Sequence, residues 1–189
     1  MNRCRAAIAA ATVALALVVG ACSSEPEPSS APSESSDPVA SEGSPAVAEE
    51  QPRLPHAARG TGESAARAFV RFWLDTLNYA IESGDSSALQ SISSQKCQEC
   101  GRIAKTIDDI YDRGGQLSGG TWRMRSLRPL PLDRGADWAG YVTAAVSEQK
   151  VTEADDGDGR AYEPGLGYMY TYAAKDRDSW RMVWMHISL

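Results

Sequence analysis

The hydrophobic period of this chain changes halfway through its apolar part, and that change decides what the chain can fold into. Over residues 64–83, Ala66, Phe69, Val70, Trp73, Leu74, Leu77, Tyr79, Ala80 and Ile81 recur at helical spacing, which predicts a long amphipathic helix with one broad apolar face. Gly84 stops it. Asp85 suits the N-cap of a short second helix over residues 86–93, with Leu89 and Ile92 turned inward. A third helix is predicted over residues 98–113, with Ile103, Ala104, Ile107, Ile110 and Tyr111 on one side and Gly114-Gly115 as its stop. After Gly119-Gly120 the period shortens to that of strands, predicted over residues 121–130, 137–151, 167–175 and 179–188. The last two join through a hairpin loop at residues 175–179, and residues 153–164 make a longer polar loop. Helices first and antiparallel strands afterwards indicate an α+β packing: three N-terminal helices on a curved antiparallel sheet of about four strands, with the long helix lying across it. Trp73 is then predicted to meet Trp184 across the helix–sheet interface.

What precedes this domain reads as an address. Arg3 and Arg5, the short apolar segment 6–18 and the small residues Gly20 and Ala21 make a secretory signal over residues 1–21, too short to span a bilayer. The run Val-Gly-Ala-Cys ending at Cys22 resembles the lipobox of bacterial lipoproteins, which implies lipidation of Cys22 and a chain held at the extracytoplasmic face of the cell membrane. An ordinary cleaved signal with a chance cysteine is the alternative. Residues 23–52 hold nine Ser, six Pro and seven Asp or Glu with no Lys, Arg or aromatic residue, so they bury too little apolar surface to offset ordering entropy. Residues 22–60 are therefore a lipidated tether, reaching roughly 30–35 Å as a flexible coil. All five Trp, all seven Tyr and both Phe lie beyond it, in a folded domain over residues 61–189.

The residues Ala68-Phe69-Val70-Arg71-Phe72-Trp73, Leu77-Asn78-Tyr79-Ala80, Ser83-Gly84-Asp85, Cys97-x-x-Cys100 and Gly119-Gly120-Thr121-Trp122 resemble a family of actinobacterial lipoproteins, domain-of-unknown-function family 6318. The wider fold this resemblance implies is the cone-shaped, nuclear-transport-factor-2-like (NTF2-like) or ketosteroid-isomerase-like α+β barrel, whose helix-wrapped sheet can enclose a pocket. It transfers no activity.

Removal of Cys4 with the signal and use of Cys22 by lipid leave Cys97 and Cys100 as a pair in an oxidising compartment, where a disulfide is the default. A redox role fits less well, because a helix and a polar loop precede the motif and Glu99 between the cysteines opposes thiolate formation. Two cysteines without a second pair make no zinc site. Asp155-Asp156-Gly157-Asp158-Gly159 looks like a calcium loop but lacks its ligand spacing and its acidic twelfth residue. The formal net charge is −6 and moves further negative once Arg3 and Arg5 leave, which argues against nucleic acid. Arg123, Arg125 and Arg128 read as a solvated strand face rather than a phosphate stripe.

For catalysis the chain offers His186, with Asp75 and the tyrosines as partners, but no nucleophile elbow, phosphate loop or dinucleotide fingerprint. The reading is therefore a non-catalytic surface lipoprotein, without cofactor or metal, whose domain binds a small apolar ligand or an envelope partner protein. Trp73, Tyr168, Tyr170, Tyr172, Trp184 and His186 are the candidate pocket lining. Its alternatives are a purely structural envelope domain with a filled interior and an isomerase- or dehydratase-type enzyme.

Overall fold

The long amphipathic helix forms where the period places it. In the computed structural model, which describes residues 50–154, 159–177 and 179–189, α1 (Glu63–Ser83) buries Phe69, Val70, Trp73, Leu74, Leu77 and Ala80 along one face. Gly84 ends it in the left-handed region at φ 76°, with its N–H donating to the Ala80 carbonyl at 2.9 Å. A Cβ at that position would fall inside the Tyr111 ring. The second helix, α2 (Ser87–Ser91), is shorter than its apolar residues suggest, and the Asp85 carboxylate accepts the Ser87 N–H at 2.9 Å just ahead of it. The third, α3 (Gln98–Asp112), buries Cys100, Ala104 and Ile107. All described residues lie in one compact unit, Pro45–Leu189.

The strands depart from the expected arrangement of three helices on a single sheet. Among the described residues seven form: β1 (Gln116–Gly119), β2 (Trp122–Pro129), β3 (Trp138–Val146), β4 (Gln149–Thr152), β5 (Arg160–Tyr162), β6 (Gly165–Asp176) and β7 (Ser179–Ser188). They make two antiparallel sheets, one of order β1-β4-β5 and one of order β2-β3-β6-β7. The single-sheet cone is thus replaced by two sheets, with α1 packed against both β1 and β2 and α3 against both β7 and β1.

The split has a local cause. Gly119 and Gly120 both take positive φ, 69° and 70°, so the chain turns a corner between β1 and β2. Opposite them, Ser147 and Glu148 break the stretch expected as one strand over residues 137–151 into β3 and β4. The corner is pinned by Gly120 N–H to Glu148 carbonyl at 2.8 Å and by Ser147 N–H to Thr121 carbonyl at 3.1 Å. The polar stretch expected as a loop over residues 153–164 then contributes β5, which pairs with β4.

A second departure lies in β7. Its alternation against β6 shifts by one residue between the pairs Tyr172–Trp184 and Ala173–Met182. This bulge turns Trp180, Met182 and Met185 toward the core and leaves His186 exposed. Trp184 consequently stands on the face away from α1 and does not meet Trp73, because an extra residue in a strand exchanges its two faces. Trp73 is fully buried and its indole N–H donates to the Ser93 hydroxyl at 3.1 Å.

The layer between α1 and the four-stranded sheet is filled by Phe69, Trp73, Leu74, Val142, Met169 and Met182. Residues 92–94 lie along the edge of β7: Met182 N–H donates to the Ile92 carbonyl at 3.0 Å and Ser94 N–H to the Met182 carbonyl at 2.8 Å. That main-chain pairing covers an otherwise open strand edge. The packed chain also begins ahead of residue 61, since the 3-10 turn His56–Arg59 buries Ala58 completely and Trp180 donates to the Gly60 carbonyl at 3.1 Å. The signal segment, Cys22 and the tether as far as residue 49 lie outside the described residues, as do residues 155–158 of the acidic loop.

Candidate functional site

The six residues expected to line a pocket separate into two places. Trp73 belongs to the filled core. Tyr168, Tyr170, Tyr172, Trp184 and His186 stand together on the opposite, outward face of the four-stranded sheet, where Tyr170 pairs with His186 and Tyr172 with Trp184 across β6 and β7. Tyr141 of β3 joins them, its ring 6.1 Å from that of Tyr168 and 4.9 Å from that of Tyr170. Tyr172 meets Trp184 edge-on at 5.2 Å, and the Arg134 guanidinium lies 4.1 Å from the Trp184 ring centroid. Partial desolvation, then the neighbouring Tyr170 and Tyr168, pushes the Tyr141 phenol up, with Arg128 opposing. The interior that would have served catalysis is therefore occupied by side chains, and His186 faces out.

Cys97 and Cys100 form a disulfide, Cα–Cα 5.3 Å, with Cys97 at the N-cap of α3 and both residues buried. The pair does stand at a helix N-terminus, the position that redox motifs use, yet each residue is only 2% exposed, which withholds the sulfurs from a partner thiol. Beside it lies a polar depression lined by Ser87, Gln90, Ser94, Gln95 and Arg181. Glu99, in the first turn of α3, is held below the usual carboxylate range by hydrogen bonds from Arg102, with burial opposing and the charges of Arg102 and His186 adding. Asp75 remains on the exposed side of α1. Partial burial pushes its carboxyl up, and Arg71 pulls against that shift.

A second unfilled space lies beside the three-stranded sheet. A cleft of about 440 Å³ runs between α3 and the three-stranded sheet. Its apolar lining comes from Ile81 at the end of α1, from Ile103, Ile107 and Ile110 on α3, and from Leu117 and Val151 on β1 and β4. Arg102, Asp109, Arg113, Glu153 and Arg160 supply charge, and Tyr162 of β5 contributes an exposed ring. The Tyr111 hydroxyl holds this end of the molecule together, donating to the Ile81 carbonyl at 2.7 Å and accepting from Leu117 N–H at 3.4 Å. Such an arrangement can desolvate an apolar body while leaving a polar end among charged groups. The α3 isoleucines were visible in the sequence as an apolar stripe. The opposite wall was not, because β1 and β4 have four residues each and β5 three, too few to show a period. Among the described residues, no group of three His, Cys, Asp or Glu side chains is placed to hold a metal ion, and no helix is long and apolar enough to cross a membrane.

Fold and cleft together define a small mixed α+β domain with an apolar cleft between α3 and the three-stranded sheet. The chain belongs to the family of unknown function DUF6318, whose sequence profile matches residues 38–184. No curated protein matches it. Among solved structures, an uncharacterised protein with a cystatin-like fold from Caulobacter vibrioides is similar at 10% identity and TM-score 0.42, over 63% of this chain and 85% of that one. An NTF2-like protein of unknown function from Shewanella oneidensis aligns at 14% identity and TM-score 0.39, over 66% and 99%. A putative calcium/calmodulin-dependent kinase II association domain from Exiguobacterium sibiricum aligns at 16% and 0.42, over 68% and 96%.

Proposed function

We propose that the protein is a lipoprotein held through Cys22 at the extracytoplasmic face of the membrane, and that its domain is a non-catalytic binding module for a small apolar ligand. The observation that carries the binding reading is the cleft between α3 and the three-stranded sheet, with six aliphatic side chains converging from four elements. Supporting the non-catalytic reading, His186 is not among the residues that line it. The secretory pattern before Cys22 and the buried disulfide at Cys97–Cys100 both suit export. A structural envelope role is the second reading, favoured by the filled layer beneath α1.

Fluorescence titration of residues 45–189 with the uncharged dye N-phenyl-1-naphthylamine tests the cleft. These residues form the compact unit that holds the described core. Saturable enhancement that falls at least tenfold in affinity for Ile103→Glu, a partly buried position on the cleft wall, is the expected result. Absence of saturable binding, or equal binding by the variant, would favour the structural role.

A further inference from the structure

We propose that the outward face of the four-stranded sheet is a docking surface for an anionic lipid bilayer. Four strands supply it, and their only acidic residue is Asp176 at the end of β6. Arg123 and Arg128 of β2 stand on this face opposite Ala145 and Tyr141, Arg125 lies at the bulge between them, and all three are exposed with no ion-pair partner among the described residues. Beside them run Tyr141, Tyr168, Tyr170 and Tyr172, and then Trp184. Leu166, in the same alternation along β6, is 46% exposed, and Tyr170 is 42% exposed.

Amphipathic rings with polar tips, interleaved with long cationic stems, suit the headgroup level of a bilayer, where the apolar bodies leave water and the polar ends do not. A loop extends the face: Arg134 holds a positive φ of 59°, unusual for its type, and lies over Trp184 with Leu132 exposed beside it. That loop is fastened to the β6–β7 hairpin end by Lys175 N–H donating to the Asp137 carboxylate at 2.7 Å. The N-terminal segment enters at the same end, through the Trp180 contact to Gly60.

Charge favours a bilayer over a second copy of the chain. A two-fold contact through this face would set the β2 arginines of both copies into one interface without acidic partners on the strands. An anionic leaflet supplies the missing negative charge, and each arginine near its surface raises partitioning about fivefold.

Co-sedimentation of residues 45–189, which lack Cys22, tests the face independently of both the anchor and the cleft. Binding to vesicles of phosphatidylglycerol and phosphatidylcholine in equal parts should exceed binding to pure phosphatidylcholine and weaken as salt is raised. The triple variant R123Q, R125Q, R128Q should lose partitioning on the order of 100-fold, with a melting temperature close to the parent's because all three residues are exposed. Tyr170→Ser should also weaken binding, whereas Ile103→Glu in the cleft should not. Equal binding to both vesicle types, an unaffected triple variant, or no vesicle binding by a domain that dimerises or is retained on soluble polyphosphate would each overturn the proposal.

Discussion

Asn78 shows how much a single side chain carries here. Its amide donates to the Trp122 carbonyl at 3.0 Å and accepts the Trp122 N–H at 2.8 Å, so one residue of α1 satisfies both backbone groups at the start of β2. Asn78→Ala leaves both groups without a partner in a partly buried place and should cost about 2 kcal/mol, read as a lower midpoint in chemical denaturation. Glu99 makes a smaller, pH-dependent contribution. Its folded carboxyl titrates below the unfolded one, so its stabilisation is present above the ordinary glutamate range and is lost as pH falls through the folded value. Because Arg102 is largely exposed, Glu99→Gln should cost only about 0.5 kcal/mol at pH 7, with the two proteins converging in melting temperature as pH falls through the lowered Glu99 value. Asp75 has the opposite sign: its raised carboxyl opposes folding increasingly as pH rises through that range.

At the scale of elements, long periods were legible and short ones were not. The sequence marks α1, α3, β2, β6 and β7 within a few residues, because each repeats its apolar pattern often enough to show a period. It does not mark β1, β4 or β5, and residues 137–151 read as one strand although the four polar residues 147–150 interrupt the apolar pattern where Ser147 and Glu148 break it. The β7 bulge was equally hidden: Trp180, Met182, Trp184 and His186 satisfy a period of two, and only pairing with β6 shows that one residue is extra. Both misses move the candidate site, since the first leaves a cleft between α3 and the three-stranded sheet and the second turns Trp184 and His186 outward. One loop signal was accurate in full. Gly84→Ala must hold an L-residue at φ 76° and displace the Tyr111 ring. It should destabilise the domain by about 2 kcal/mol or more in thermal or chemical melts, whereas a cost near zero would mean that α1 and α3 are not joined through this contact.

At the scale of the whole molecule, the layer beneath α1 is filled and the proposed binding cleft lies between α3 and the three-stranded sheet. On the proposed lipoprotein reading, attachment depends on one atom, the Cys22 sulfur. Cys22→Ser should abolish incorporation of a labelled fatty acid and block processing in cells, and equal label in variant and parent would remove the lipoprotein reading while leaving the domain's own chemistry untouched. The cleft is the central claim, and methyl chemical-shift mapping of isoleucine-, leucine- and valine-labelled residues 45–189 during titration with N-phenyl-1-naphthylamine tests it most directly. The account predicts saturable shifts at Ile103, Ile107, Ile110, Leu117 and Val151, with Val70 and Val142 of the filled layer unmoved. Shifts centred on Val70 and Val142, or no shift at the α3 isoleucines, would contradict it.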